Sequence, residues 1–298
     1  ARAGDCMNAQ GRLYCLPALI NIGVQKAGTG ELQTWLGAHP NVLVHGGEVH
    51  FFDSLRASCR NKRQQSALRM RYARYLWKRK ELDEGMVSGR ITFEKTPAYF
   101  DMAEPQLIAC AVPDVRLLLM LRMPVSRAIS AYRMCQEELS AKWCRRSFDE
   151  IIAHALPEGS GTRINPALQE QVRRLLMMGQ YASHLHRWLL HFTPEQLRIL
   201  WVEQFKQDPF ACLEAVQQYA RLPSFNYRRI ATRNDAGLWV VGKSKSSGGH
   251  AGSGRTLSPG SNATLHRFYE PSQRRLRALI SQANLTLVSD PSPPFGSY

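Results

Sequence analysis

The chain has 298 residues, 44% of them apolar, with 39 Lys+Arg against 24 Asp+Glu and a formal net charge of +15. That length and apolar content suffice for one large core, and the charge favours polyanionic partners: nucleic acid, anionic membrane or acidic polysaccharide. No apolar run is long enough to span a bilayer and no signal-peptide pattern opens the chain, so a soluble chain is expected as it stands, any anchor lying upstream.

Residues 1–15 read as an irregular lead-in. Leu16–Val24 is a short apolar run rich in Ile, Leu and Val, with Pro17 at its start, which predicts a buried parallel strand. A Gly-containing turn follows, then Glu31–Ala38 with Leu32, Trp35 and Leu36 at helical spacing. Val42–Val44, Ile91–Phe93, Arg116–Leu121 and Leu197–Val202 read as further strands. Helical periodicity covers about 103–111, 124–140, 147–155, 167–191, 208–220 and 262–282. Strands alternating with helices predict an α/β fold: a P-loop-like central parallel β-sheet of about four or five strands, flanked by helices on both faces, in a single domain over 1–298. Residues 242–260 read as a Gly/Ser/Lys-rich loop and Ser289–Tyr298 as a loose tail.

Cations crowd between Arg60 and Lys80, with Tyr72, Leu76 and Trp77 interleaved, as in a basic amphipathic helix. The plain reading is a solvated face; the functional one is contact with a polyanion. The 7 cysteines form no zinc or C-x-x-C pattern. Cys6/Cys15 and Cys135/Cys144 share one short spacing, and either pair closes a small loop if bridged. The odd total leaves at least one thiol outside any intrachain pair. The sequons Asn262-Ala263-Thr264 and Asn284-Leu285-Thr286 fit a secretory compartment.

Chemistry concentrates after the strands. Gly23-Val24-Gln25-Lys26-Ala27-Gly28-Thr29-Gly30 lies between a strand and a helix, where glycines let backbone N–H groups converge on an anion. Its lysine precedes Gly28-Thr29, unlike the ATP-type order, and such a segment alone is as often an ordinary turn. Leu119-Met120-Leu121-Arg122-Met123-Pro124 ends a strand and opens a helix carrying Ser126, Arg127 and Ser130, so Arg122 is expected at the carboxyl end of a parallel strand, where such sheets bind ligands. Gly46-Gly47-Glu48-Val49-His50-Phe51-Phe52-Asp53 and Phe93-Glu94-Lys95-Thr96-Pro97-Ala98-Tyr99-Phe100 place carboxylate, imidazole and ammonium groups beside aromatics. A lone His or Glu is usually structural.

In this order the four strings resemble the PAPS (3′-phosphoadenosine-5′-phosphosulfate)-dependent carbohydrate sulfotransferases, most nearly the heparan sulfate glucosaminyl 3-O-sulfotransferase branch. The likeness runs from Leu16 to about Ile280 and includes Tyr181-Ala182-Ser183-His184-Leu185-His186-Arg187-Trp188, Gly254-Arg255 and Phe268-Tyr269-Glu270-Pro271. It implies that Lys26, Ala27, Gly28, Thr29 and Gly30 hold the 5′-phosphosulfate, Arg122 and Ser130 the 3′-phosphate, and that the loop at Gly254 and Arg255 closes over the nucleotide. Glu48 would be the general base, Lys26 would stabilise the leaving oxygen, and Lys95, His50 and Asp53 would line the acceptor side. The resemblance implies no catalytic metal, no redox cofactor and no nucleic-acid partner. It implies an anionic polysaccharide acceptor and the Golgi lumen, with a type II anchor upstream. Departures from the branch are Gly47 where a Lys usually precedes the Glu, Ala27 for the first Gly of its loop, and the absence of cysteine from Gly237–Gly252. A small-alcohol sulfotransferase and a non-catalytic polyanion-binding protein are the competing readings.

Overall fold

The computed structural model describes residues 2–78, 81–139, 142–156, 166–242 and 257–288. Its elements in chain order are β1 (Cys6–Ala9), β2 (Arg12–Cys15), β3 (Leu19–Gly23), α1 (Thr29–Gly37), β4 (Val42–Val44), α2 (Lys62–Leu76), α3 (Glu84–Val87), β5 (Ile91–Lys95), α4 (Tyr99–Met102), α5 (Pro105–Ala111) and β6 (Arg116–Leu121). There follow α6 (Pro124–Met134), α7 (Phe148–Ala155), α8 (Pro166–Met177), α9 (Tyr181–Leu189), β7 (Leu197–Trp201), α10 (Val202–Gln207), α11 (Pro209–Ala220), β8 (Ala231–Arg233), β9 (Trp239–Val241) and α12 (Pro259–Gln282).

The centre is a five-stranded sheet of order β4-β5-β3-β6-β7, every neighbouring pair parallel. β3 is wholly buried and β6 is buried beyond Arg116, which is why their sequences are nearly continuous apolar runs: helices cover both faces of the sheet there. From β3 the chain builds outward to β4 and β5 on one side and then to β6 and β7 on the other. β3 is therefore the point at which connections reverse direction, the usual crevice for a ligand.

Three expectations are corrected. Residues 6–15 are not irregular but an antiparallel hairpin bridged by Cys6–Cys15. Gln10 and Gly11 both have positive φ, the turn geometry that matches strand twist, and a Gln at the first position hides it from a pattern search. The helix expected over 124–140 stops at Met134 and continues as a π-turn, Cys135–Leu139, where Cys135 bridges to Cys144. The helix expected over 167–191 breaks between α8 and α9 at Gly179, where a Cβ would lie 2.8 Å from the Tyr269 ring of α12. The tail from Ser289 and most of the loop 242–260 lie outside the described residues.

The basic stretch forms α2, which buries Leu68, Tyr72, Ala73 and Leu76. It is tied to α5 at three points. Cys59, just before α2, bridges to Cys110, a pair far apart in sequence. Gln65 Nε2 and Arg69 Nε donate to the carbonyls of Cys110 (3.1 Å) and Ala111 (2.9 Å), carbonyls of the last turn of α5. Cys212 is buried in α11, outside the three bridges. Among the described residues no helix is long and apolar enough to cross a membrane.

Candidate active site

Four neighbouring strands deliver the sequence-predicted residues from their carboxyl ends. The segment after β4 carries Glu48, β5 ends on Lys95, the loop after β3 carries Lys26, and β6 is followed by Arg122. Parallel pairing makes this possible, because Asn21 pairs with Lys95 and Gly23 with Leu119, so the strands end nearly level.

Glu48 is the hub of one cluster. One carboxylate oxygen is 2.8 Å from Lys95 Nζ, and the other is 3.1 Å from His50 Nε2. His50 Nδ1 is 2.6 Å from Asp53 Oδ2. The Lys95 side chain is nearly buried, whereas Glu48 and His50 remain accessible from solvent. A buried ammonium thus holds the carboxylate while its outer edge stays open to an incoming ligand. Gly47, where the branch has a lysine, sits at φ +113 with open space around it, a conformation that disfavours any side chain.

The F-E-K-T-P-A-Y-F string holds this segment in place. Thr96 Oγ1 accepts the Val49 N–H at 2.9 Å, and Tyr99 Oη accepts the Phe51 N–H at 3.2 Å. Glu94, adjacent to Lys95 and therefore on the opposite face of β5, is wholly buried. It accepts hydrogen bonds from Tyr72 Oη of α2 and from Thr96 Oγ1. Burial pushes its carboxyl up to about 8, the two hydrogen bonds opposing. Its unfolded counterpart titrates near 4.3. Across the interval the unfolded chain has released a proton that the folded chain keeps, so stability is full below that interval and is lost as pH rises to about 8. Glu94→Gln is expected to remove a dependence approaching tenfold in the folding equilibrium per pH unit. Denaturant titrations at about pH 5 and about pH 8 measure it, and equal pH dependence in wild type and variant would contradict the assignment.

The β3–α1 loop has the geometry of an anion cradle. Gly28, the N-cap of α1, has φ +80, and a Cβ there would lie 2.8 Å from Val202 Cγ2. No side chain caps this helix, so the N–H groups of its first turn point outward, with the positive end of the helix behind them. Thr29 is buried in that turn, a Cβ at Gly30 would meet nothing within 4 Å, and Ala27 is fully buried beneath. Lys26 itself has φ +70, and its carbonyl accepts Arg122 Nη1 at 3.1 Å, joining the loop to the end of β6. Gly28→Ala is expected to cost about 2–4 kcal/mol, combining left-handed strain with overpacking against Val202, and thermal unfolding reads it.

Arg122 lies among like charges. Burial lowers its pKa from the ordinary arginine value; Glu203 opposes this, while Arg127 and Arg133 reinforce it. Lys206 is lowered likewise, by burial and then by Arg122. Such a cluster gains from an anion among its members. Tyr181 Oη donates to the Arg122 carbonyl at 2.8 Å, and Trp188 Nε1 donates to the Phe100 carbonyl at 3.0 Å. The Tyr181–Trp188 segment thus ties the residue after β6 to α4. Ser130 is half-buried on α6, beyond the Arg122 turn.

The structure therefore gathers Glu48, His50, Asp53 and Lys95 into one cluster and links Lys26 to Arg122. Gly254 and Arg255 lie outside the described residues. Sequence reasoning passed over Tyr72, Glu94, Thr96, Glu203 and Lys206. Thr96 and Glu94 stand inside a quoted motif, but nothing local shows that they face α2 and the Glu48 segment.

Residues 16–247 match the family model described as Sulfotransferase domain. Human bifunctional heparan sulfate N-deacetylase/N-sulfotransferase 3 is 30% identical over 289 residues, 92% of this chain and 31% of that protein. Mouse heparan sulfate glucosamine 3-O-sulfotransferase 3B1 is 33% identical over 208 residues, 70% of this chain and 46% of that protein. The chain thus spans 31% to 46% of the length of these relatives. A sulfotransferase from Alicyclobacillus acidocaldarius superposes with a TM-score of 0.60 at 22% identity, covering 89% of this chain and 96% of that one, a likeness of fold. The P-loop-like parallel sheet, the ordered motifs and the family match agree, and the chain belongs to the sulfotransferase domain family.

Proposed function

We propose that this chain transfers a sulfuryl group from PAPS to a carbohydrate hydroxyl on a glycosaminoglycan-like polysaccharide, with Glu48 as general base. The observation that carries the reading is the Glu48–Lys95–His50 cluster, open to solvent on one side, with Lys95 on the strand next to the one that leads into the Lys26 loop. Glu48 takes the acceptor proton as the acceptor oxygen bonds to sulfur. The bond from sulfur to the bridging phosphate oxygen breaks in line, and its electron pair stays on that oxygen, where the Lys26 ammonium and the α1 N–H groups stabilise it. Arg122 with its neighbouring cations, and Ser130, would hold the 3′-phosphate. Glycine at position 28 lets the loop take its left-handed turn packed against Val202, and the uncapped N–H groups of α1 would then bind the 5′-phosphosulfate. We assign Asp53 to orienting His50, and residues 1–298 to one sulfotransferase domain.

A second acceptor class has its own support: the N-sulfotransferase relative aligns over 92% of the chain. An amine must also lose a proton as it attacks, so the same carboxylate serves it. Three disulfides favour an oxidising compartment, and we place the protein in the Golgi lumen behind an upstream type II anchor.

Label transfer from PAPS to N-sulfated heparosan, N-unsubstituted heparosan and a small-alcohol panel tests the reading. Transfer to the first supports O-sulfation, and transfer confined to the second moves the acceptor to the amine. Transfer only to small alcohols overturns the polysaccharide, and failure to bind PAP overturns the sulfotransferase reading itself.

A further inference from the structure

The outer face of α2 carries an open groove of about 570 Å³, lined by Ala67, Met70, Arg71, Arg74, Tyr75 and Lys78. Arg71, Arg74 and Lys78 are exposed, and none is in an ion pair with a carboxylate among the described residues. Arg71 and Arg74 share one side of the helix and Lys78 follows just past its end, the three spanning about 10 Å from first to last. Each cation instead sits over an aromatic ring: Arg71 over Phe51 at 5.6 Å, Arg74 over Tyr14 at 6.0 Å and Lys78 over Tyr75 at 3.8 Å. Ring contacts hold long side chains near one geometry without neutralising them, so a bound anion orders them at lower cost.

The groove is fixed to the catalytic segment. Phe51, under Arg71, follows His50 directly, and its N–H is held by Tyr99. Tyr72, on the inner face of the same helix, donates to Glu94 beside Lys95. The bridge from Cys59 to Cys110 and the Gln65 and Arg69 contacts hold the helix to α5.

Resting on the polysaccharide reading above, we infer that this face of α2 is an exosite for an anionic polysaccharide, engaging sugars outside the reacting residue of a chain whose acceptor lies at Glu48. Its three cations meet sulfate or carboxylate groups on successive sugars, and Ala67, Met70 and Tyr75 provide an apolar floor for the C–H faces of the rings. A repeating polyanion gains from several such contacts at once, whereas a short acceptor reaches only the catalytic cleft.

The test compares wild type with the triple variant Arg71→Ala, Arg74→Ala, Lys78→Ala, all exposed positions outside the catalytic cluster. KM is measured for long N-sulfated heparosan and for a tetrasaccharide of the same composition, and heparin affinity across a salt series. The expected result is a rise of about tenfold or more in KM for the polymer, with kcat and the tetrasaccharide KM unchanged. The salt dependence of heparin binding falls by on the order of two to three released counterions. Arg71→Lys with Arg74→Lys retains most of the polymer affinity. Equal KM changes for long and short acceptors, or unchanged heparin binding in the triple variant, overturn the exosite. Wild-type preference for duplex DNA over heparin at equal salt overturns it in favour of nucleic acid. Heparin binding needs no turnover, so it judges the groove even where no polysaccharide accepts sulfate, the outcome that sinks the polysaccharide reading instead.

Discussion

Replacing Glu48 with glutamine is expected to lower kcat by about 10²–10⁴-fold while leaving the acceptor KM within a few-fold of wild type. Glutamine keeps the length of the side chain and can still accept from Lys95 Nζ, but it cannot take the acceptor proton. The loss should therefore fall on the transition state and not on ground-state binding. PAP affinity should be unchanged, because the cradle at Gly28 stands on a different strand end. The substitution also leaves the nearly buried Lys95 without its anion. Thermal unfolding must accompany the kinetics: a modest drop in Tm with intact PAP binding keeps the result interpretable. A loss in kcat below tenfold would remove Glu48 from the role of base and shift attention to His50, which faces the carboxylates of both Glu48 and Asp53.

Lys26→Gly is the second large effect, expected to cut kcat by about 10²–10³-fold, the range for removing one group that stabilises a developing oxyanion. Glycine is the informative replacement. Lys26 occupies a left-handed backbone conformation, which costs a side-chain-bearing residue about 1–2 kcal/mol. Glycine relieves that strain and loses a comparable amount through the freedom of its unfolded chain. Stability should stay near wild type while turnover collapses. The carbonyl that accepts Arg122 Nη1 is backbone and survives the change. A variant that turns over normally would leave charge stabilisation to the α1 N–H groups and the Arg122 cluster alone.

Much of the frame was legible in the chain itself. The nearly continuous apolar runs at β3 and β6 announce strands buried on both faces, because alternation vanishes when neither face meets water. Gly28 and Lys26 are visible as a strand–helix turn with a cation, and Pro124 marks the helix that begins just after Arg122. The hairpin at Cys6–Cys15 escaped because its turn uses Gln10, and the break at Gly179 escaped because the Tyr269 ring that leaves no room for a Cβ there lies far along the chain.

Element types, the order of the motifs and the residue types that deliver charge after each strand can be read from the chain alone, since hydrophobic period and turn chemistry are local properties. Which of these meet is set by the packing of the folded chain. Parallel pairing brings Glu48 to Lys95, and the fold of the β4–α2 segment turns His50 between two carboxylates. The one-residue alternation of β5 sends Glu94 toward Tyr72 while Lys95 faces Glu48. The Cys59–Cys110 pairing and the joining of α2 to the Glu48–Phe51 segment are likewise contacts between residues distant in sequence, whose energies depend on register and packing that no local pattern encodes.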